Sequence, residues 1–307
     1  MSRRRRNQLT LVCWIYPGPR NYRPKYVNVL YRRVKQFMPM RHRFVCIYDD
    51  TYYKAEHFDP GIELMPIPES ARPLLALGSL AGKMHPACFA RLWHFSEEAA
   101  ELLPGRVFMF DVDSIPIGDM SPLVKYRSDA DFVGLRCGGT ERLRHYLAGG
   151  SWILRSGSLT HVWNDFIADP IQARADAAAW FVEGRDLKHV GWTGGSDQAY
   201  MSYRLVDHLS EDGPITYWSG DCGILLWDHF RRQRGNVPGC LMHFNGHKKP
   251  WSLDWKLTRE LYGNVEYCVI GRPLKYGGRR YEVGEPFIAA RPSHARALLA
   301  VNRIAVA

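Results

Sequence analysis

The sequence lacks the features that mark several common classes of protein. No apolar run is long enough to span a membrane. Seven cysteines are scattered over 307 residues with no Cys-x-x-Cys pair. Their odd number argues against a disulfide framework, and their spacing does not match a zinc site. Charged residues make up 23% and hydrophobic residues 46% of the chain, which argues against extended disorder. These absences favour a globular protein kept reduced in the cytoplasm.

Acidic residues are fewer than basic ones: the chain has 31 aspartates and glutamates against 41 lysines and arginines, which gives a net charge of +10. Such an excess favours polyanionic partners such as nucleic acid or an anionic glycan, although solubility alone also explains it. Arginines 3–6 followed by an apolar segment imitate a secretory leader. That segment is short and stops at Pro17, so we interpret residues 9–16 as the first buried strand.

A short apolar run that ends in two acids is the strongest local pattern. Residues 107–110 form an unbroken apolar stretch, which is typical of a strand buried inside a parallel α/β sheet. Asp111 and Asp113 follow it, and they point to the same side if the extended backbone continues. Ligands bind at such strand ends, so two acids there predict a divalent cation that holds a substrate diphosphate. The alternative is that they only cap a turn.

Strands and helices alternate through the first half of the chain. Strands are predicted at 9–16, 43–48 and 62–67, and helices at 25–38 and 86–103. This alternation is typical of a nucleotide-binding α/β sheet. Tyr16, at the end of the first strand, is a candidate stacking face for the base or an ordinary core tyrosine.

Three later segments contribute further candidates. Gly149 and Gly150 precede a strand, and adjacent glycines let a backbone approach a ligand closely. The pair Asp197-Gln198 opens a helix, where an acid and an amide face a ligand or simply cap the helix. The segment 241–251 offers an imidazole, a glycine and two lysines. Imidazole with carboxylate suits Mn²⁺, and lysine suits a phosphate.

Residues 243–251 also carry a resemblance to a known family. His243-Phe-Asn-Gly-His-Lys-Lys-Pro-Trp251 resembles the His-Phe-x-Gly-x-x-Lys-Pro-Trp signature of the family-eight glycosyltransferases, with all six fixed positions present. Phe108-Met-Phe-Asp-Val-Asp113 resembles the family's Asp-x-Asp strand. Residues 148–154 are similar to its Asn-Ala-Gly-Val stretch, although Leu147 replaces the asparagine. Asp197-Gln198 resembles its Asp-Gln pair, and Gly82-Lys83 is similar to its donor-contacting lysine.

The resemblance implies a GT-A fold over residues 1–262 and a role for each matching residue. By resemblance, the ligands of Mn²⁺ or Mg²⁺ are Asp111, Asp113 and His243. The donor diphosphate is contacted by Asp111, Gly246 and Lys249, and the donor also by Lys83. The pair Asp197 and Gln198 lies beside the reacting carbon. The implied reaction moves a hexose from a nucleotide sugar, a UDP-hexose being the expected donor, with retention of configuration. The expected acceptor is a glycan or a modified DNA base.

Residues 263–307 are predicted to form a separate β-rich tail. Gly277-Gly278 lies between alternating segments, which is typical of a hairpin. Residues 295–302 are predicted to form a short helix and 304–306 a final strand. The tail resembles small β-rich segments at the ends of phage structural proteins, which implies a phage-encoded protein acting in the host cytoplasm.

The sequence leaves two alternative functions. In the first, a transferase fold serves only to bind nucleic acid or glycan, with no catalysis. In the second, the chain is a nucleotidyltransferase on a related sheet, and the segment 243–251 argues against that.

Overall fold

A computed structural model gives the conformation of most of the chain. It describes residues 8–17, 22–77, 86–136, 147–182, 196–218, 223–226, 239–244, 249–252, 258, 260–261, 267–269, 272–276, 279–283, 285–287, 298 and 304–306. The chain divides into two units. The first comprises Met1–Leu225 and Gly235–His243, and the second comprises Leu226–Arg234 and Phe244–Ala307. The domain boundary that the sequence suggests at residue 262 stays a prediction.

A seven-stranded mixed sheet is the centre of the first unit. The first ten strands are β1 (Leu9–Ile15), β2 (Arg43–Tyr48), β3 (Glu63–Pro66), β4 (Arg106–Phe110), β5 (Ser114–Pro116), β6 (Phe132–Arg136), β7 (Leu147–Arg155), β8 (Ile215–Tyr217), β9 (Ile224–Leu226) and β10 (Leu241–His243). The large sheet has the order β3-β2-β1-β4-β7-β6-β8, and a three-stranded sheet has the order β5-β10-β9. In the large sheet β1 to β4 run parallel, whereas β7 is antiparallel to both β4 and β6.

The helices lie between these strands. They are α1 (Pro24–Phe37), α2 (Glu97–Leu102), α3 (Ser121–Lys125), α4 (Thr160–Ala168), α5 (Pro170–Val182) and α6 (Asp197–Leu205), with short 3₁₀ segments at Ala55–His57, Arg72–Ala76, Pro86–Phe95, Val206–His208 and Pro250–Ser252. The crossover from β1 through α1 to β2 joins parallel neighbours, as the sequence predicts. Helix α5 was not predicted.

The segment 86–103 differs from the single helix that the sequence predicts. It is a 3₁₀ segment from Pro86 to Phe95 followed by α2. Phe89, Leu92 and Phe95 are all buried, and their spacing of three residues places them on one face of a 3₁₀ helix. The Ser96 hydroxyl then accepts a hydrogen bond from the Ala99 amide at 2.9 Å and starts the α-helix as its N-cap.

The second unit contains short strands. They are β11 (Tyr267–Val269), β12 (Leu274–Tyr276), β13 (Arg279–Tyr281), β14 (Pro286–Phe287) and β15 (Ile304–Val306). Strands β12 and β13 pair antiparallel, which is the hairpin predicted around Gly277-Gly278, and β15 pairs with β11. The predicted helix at 295–302 lies outside the described residues except for Leu298. Within the described part of the chain, no helix combines the length and apolarity that crossing a membrane requires.

Candidate metal centre and active site

A tight turn brings Asp111 and Asp113 together. Strand β4 ends at Phe110, and the Ser114 amide donates to the Asp111 carbonyl at 2.9 Å. The extended backbone on which the sequence argument depended therefore stops before the first acid. Asp113 is fully buried, whereas 31% of the Asp111 side chain is exposed. One acid is thus enclosed by protein, and the other partly reaches solvent.

His243 reaches the two acids through an antiparallel strand pair. Strand β5 begins directly after Asp113, and His243 at the end of β10 lies opposite Ser114 in the ladder. Ligand atoms of Asp111, Asp113 and His243 all lie within 4.8 Å of one another. Two carboxylates and an imidazole are a donor set that suits Mn²⁺ and related divalent ions. The residues present therefore fit the cation that the sequence argument expects.

The adjacent glycines of β7 leave space for side chains of the site itself. A Cβ atom on Gly150 would lie 2.1 Å from His243 Cε1 and 2.5 Å from its Nε2. A Cβ atom on Gly149 would lie 3.1 Å from Gln198 Cβ and 3.5 Å from Asp197 Oδ1. The Gly150 carbonyl also accepts a hydrogen bond from the Asp111 amide at 2.9 Å. The close approach predicted for a ligand is thus made by protein groups.

Arg91 joins Asp111, which directly follows β4, to Asp197 at the start of α6. Its guanidinium forms an ion pair with Asp111, and its Nη2 lies 2.6 Å from Asp197 Oδ2. The side chains of Arg91 and Asp197 are only 11% and 3% exposed. Asp197 Oδ1 accepts a second hydrogen bond from the Gln198 amide at 2.8 Å. Asp197 is therefore held at both carboxylate oxygens, one of them by a buried cation.

Burial and charge oppose each other in this ion-paired group. Burial alone lowers the pKa of Arg91, but the charges of Asp197 and Asp111 outweigh it and hold that pKa well above its usual value. Burial raises the pKa of Asp197, and the charge of Arg91 acts in the opposite direction. The guanidinium therefore stays charged, and Asp197 depends on it for its ionised form.

His94, a neutral histidine, lies on the same 3₁₀ segment as Arg91. The Trp14 indole donates to His94 Nε2 at 2.7 Å, and the His94 ring packs edge-on against Trp14 and Trp152. Burial, helped by the charge of Arg91, lowers the pKa of His94 to about 3.

Burial also raises the pKa of the Cys88 thiol, on the same 3₁₀ segment, to about 12, and the charge of Asp197 acts in the same direction.

The comparisons with known proteins identify the architecture. No protein-family model matches the sequence, and no curated protein matches it significantly. Solved structures do match. The galactosyltransferase LgtC in complex with donor and acceptor sugar analogues aligns with a TM-score of 0.54 at 14% identity, over 83% of this chain and 95% of that one. An active-site mutant of LgtC aligns with a TM-score of 0.53 at 13% identity over the same shares.

The fold is GT-A. The mixed seven-stranded sheet with flanking helices confirms the α/β class that the sequence predicts. At such low identity the likeness establishes the architecture alone. The roles of individual side chains in this GT-A chain therefore depend on its own geometry.

The predicted site residues fall into three groups in the GT-A fold. The first group lies in the first unit and consists of the proposed metal ligands, Asp111, Asp113 and His243, and the pair Asp197-Gln198. Arg91 contacts both Asp111 and Asp197, and Gly149 lies against Asp197 and Gln198. Lys83 and Gly246 lie outside the described residues. Lys249 belongs to the second unit, where it is buried and its ammonium donates to the Phe244 carbonyl at 3.4 Å.

Tyr16 is the candidate whose surroundings favour the simpler interpretation. Its side chain is only 8% exposed and belongs to the main hydrophobic cluster. Burial raises the pKa of its hydroxyl, while the nearby charge of Arg91 acts in the opposite direction. A core tyrosine close to Arg91 accounts for these observations. Its contact with a nucleobase stays a prediction.

Arg91 and Ser114 are the site residues that the sequence argument missed. Arg91 is the one charged residue in the run 88–93, and buried arginines need anionic partners, so its position was a usable clue. The Ser114 hydroxyl lies 3.2 Å from His243 Nδ1. These two residues are 129 positions apart in the chain, and only the strand register brings them together.

Proposed function

We propose that the chain is a metal-dependent glycosyltransferase that moves a hexose from a nucleotide sugar to an acceptor. The observation that carries the proposal is the grouping of Asp111, Asp113 and His243, tied through Arg91 to Asp197, within a GT-A fold. The proposed donor is a UDP-hexose, and the proposed cation is Mn²⁺ or Mg²⁺. The family-eight resemblance of residues 243–251 supports this assignment.

In the proposed mechanism Asp111, Asp113 and His243 hold the cation. A cation held by these residues would supply Lewis acidity, neutralising charge on the departing nucleoside diphosphate. The two carboxylates of this set, one of them fully buried, suit a divalent ion better than a monovalent one. Lys249 and Gly246 are proposed to contact the diphosphate, and Lys83 the donor, as the resemblance implies.

Asp197 is proposed to stabilise positive charge that develops at the sugar. Breaking a glycosidic bond passes through an oxocarbenium-like state, which a nearby carboxylate stabilises. Both oxygens of Asp197 already accept hydrogen bonds, from Arg91 and from the Gln198 amide. Such bonds lower the reactivity of a carboxylate, so an electrostatic role suits Asp197 better than nucleophilic attack. Retention of configuration remains part of the proposal.

The acceptor is proposed to be a glycan or a modified DNA base. The net charge of +10 supports an anionic acceptor in general and favours neither of the two. A reducing cytoplasmic location and a phage origin stay predictions from the sequence. Among the described cysteines, Cys13, Cys46, Cys88 and Cys240 are thiols rather than disulfides, which is consistent with a reducing compartment.

Nucleotide release with and without Mn²⁺ tests the proposal. UDP-glucose, UDP-galactose, UDP-N-acetylglucosamine and their GDP counterparts are offered with and without DNA, and transfer to added glycans is followed in parallel. We expect metal-stimulated release from one UDP-sugar, and we expect Asp113→Ala to abolish it. Asp176→Ala, which removes an acid from the exposed face of α5, is the matched control. Equal release by the Asp113→Ala protein and the wild type would reject the proposal.

A further inference from the structure

His243 has defined neighbours in two adjacent strands. It lies directly opposite Ser114 in the antiparallel pair β5 and β10. Strand β5 starts immediately after the Asp111–Asp113 turn, so the residue that follows the second acid in the chain is the one that pairs with the histidine. That residue is buried and polar. The contact between Ser114 and His243 is therefore built into the sheet.

The Ser114 hydroxyl engages one of the two ring nitrogens. Ser114 Oγ lies 3.2 Å from His243 Nδ1, which leaves Nε2 as the nitrogen available to a cation. A metal-bound imidazole is neutral, so its second nitrogen carries a proton that needs an acceptor. A serine hydroxyl provides that acceptor.

The backbone of β7 limits the ring from another side. Gly150 has no Cβ, and the His243 ring occupies the space where one would lie, 2.1 Å from Cε1. Contact with Gly150 and the hydrogen-bonding distance to Ser114 together restrict rotation of the imidazole. The ring is thus fixed before any cation arrives, which reduces the entropy that cation binding must otherwise offset.

We infer that Ser114 is a positioning residue of the cation site, which accepts the Nδ1 proton of His243 and so presents the Nε2 lone pair to the cation beside Asp111 and Asp113. This inference rests on the proposed function, since it concerns the cation of that reaction. It adds a residue to which neither the Asp-x-Asp pattern nor the segment 243–251 assigns a part. Loss of a hydrogen bond to a metal ligand typically weakens metal affinity about 10-fold to 100-fold.

Mn²⁺ binding measured without any nucleotide sugar tests the inference. Free Mn²⁺ is followed by electron paramagnetic resonance in titrations of the wild type, Ser114→Ala, Ser114→Thr and Ser121→Ala. Ser121 serves as the control because it is another buried serine, whose backbone amide bonds to Asp119. We expect Ser114→Ala to weaken binding about 10-fold or more. We expect the Ser121→Ala control to match the wild type and Ser114→Thr, which keeps the hydroxyl, to recover most of the loss. Equal affinity of the Ser114→Ala protein and the wild type would overturn the inference and leave the proposed function standing.

A spectroscopic measurement on the wild type does not depend on how well the variants fold. Long-range proton–nitrogen NMR spectra of protein with isotope-labelled histidine report which ring nitrogen carries hydrogen when diamagnetic Zn²⁺ is bound. We expect His243 to be protonated on Nδ1, whereas Zn²⁺ on Nδ1 with hydrogen on Nε2 would overturn the inference. A wild type that binds neither Mn²⁺ nor Zn²⁺, even with UDP present, would overturn both this inference and the cation of the proposed function.

Discussion

Arg91 is the residue on which the arrangement of the acids depends. It pairs with the partly exposed Asp111 and with the buried Asp197. A lysine keeps the charge but has no planar fork with which to bridge two carboxylates. The difference between these two side chains therefore separates the effect of charge from the effect of geometry.

Replacing Arg91 is expected to affect stability and turnover differently. Arg91→Met leaves Asp197 buried without its cation, which typically costs about 3 to 5 kcal/mol. Arg91→Lys is expected to retain most of the stability but to lose turnover by about 10-fold or more, since one ammonium cannot orient both acids. Denaturant unfolding and nucleotide release measure the two effects. Arg204→Met, which breaks the more exposed pair with Asp165, is the control and should cost less than about 1 kcal/mol.

His94 predicts a dependence of stability on pH. Its pKa is lowered from 6.5 to about 3 by burial, so the unfolded chain takes up a proton below pH 6.5 that the folded chain does not. The contribution of the neutral imidazole to the stability of the fold is therefore fully present above pH 6.5, and it is lost as the pH falls toward 3. The loss is about 2 kcal/mol between pH 7 and pH 5.

Chemical denaturation at several pH values measures this effect. His94→Gln keeps an acceptor for the Trp14 indole and removes the titration, so the stability of this variant should fall less between pH 7 and pH 5. The remaining titratable groups change the stability of both proteins equally, so their effect cancels in the difference. Parallel pH profiles of the variant and the wild type would contradict the assignment of a neutral buried His94.

At the scale of the elements, strand β7 contributes backbone rather than side chains to the site. Gly149 and Gly150 admit the side chains of Asp197, Gln198 and His243. The glycine pair in the sequence indicates a close approach, but it does not indicate that protein side chains rather than a ligand make it. The partner was unpredictable because it comes from elements far along the chain, whose placement depends on the sheet order.

Gly150→Ala is therefore expected to disturb the metal centre more than the fold. The added methyl would overlap the His243 ring, so the imidazole must turn away from the acids. Mn²⁺ affinity should fall by about 10-fold or more. Circular dichroism should stay close to that of the wild type. Gly213→Ala, in the loop before β8, is the control. Mn²⁺ affinity of the Gly150→Ala protein equal to that of the wild type would contradict the prediction.

The elements that the sequence predicts well are those with a strong local pattern. Strands β1, β2 and β4 are continuous apolar runs, and α1 has a regular apolar face, so their positions agree within one or two residues. The segment 86–95 has a spacing of three that was interpreted as α-helical, because a single sequence rarely distinguishes the two helix types over so short a span. The ion pairs of Arg91 have no local pattern at all.

At the scale of the whole molecule, the positive charge leaves a second function to be separated from catalysis. The net charge of +10 predicts binding to polyanions that weakens as salt increases. If the chain only binds nucleic acid or glycan, Asp113→Asn should leave that binding unchanged, and no sugar transfer should be found in the wild type.

A transferase gives a different result in the same experiment. Asp113→Asn should then lose metal-stimulated nucleotide release by about 100-fold or more, because an amide is a poor ligand for the cation, while polyanion binding measured by fluorescence anisotropy at several salt concentrations stays the same. Transfer that persists undiminished in the variant would contradict the assigned cation site.

The pairing of β5 with β10 also determines when the cation site can exist. Ser114 and His243 are joined across 129 positions of the chain, and the acids lie on the early side of that interval. A nascent chain leaving the ribosome carries both acids long before it carries the imidazole. Competence to hold the cation is therefore gained only after residue 243 has been made, well after the parallel strands β1 to β4.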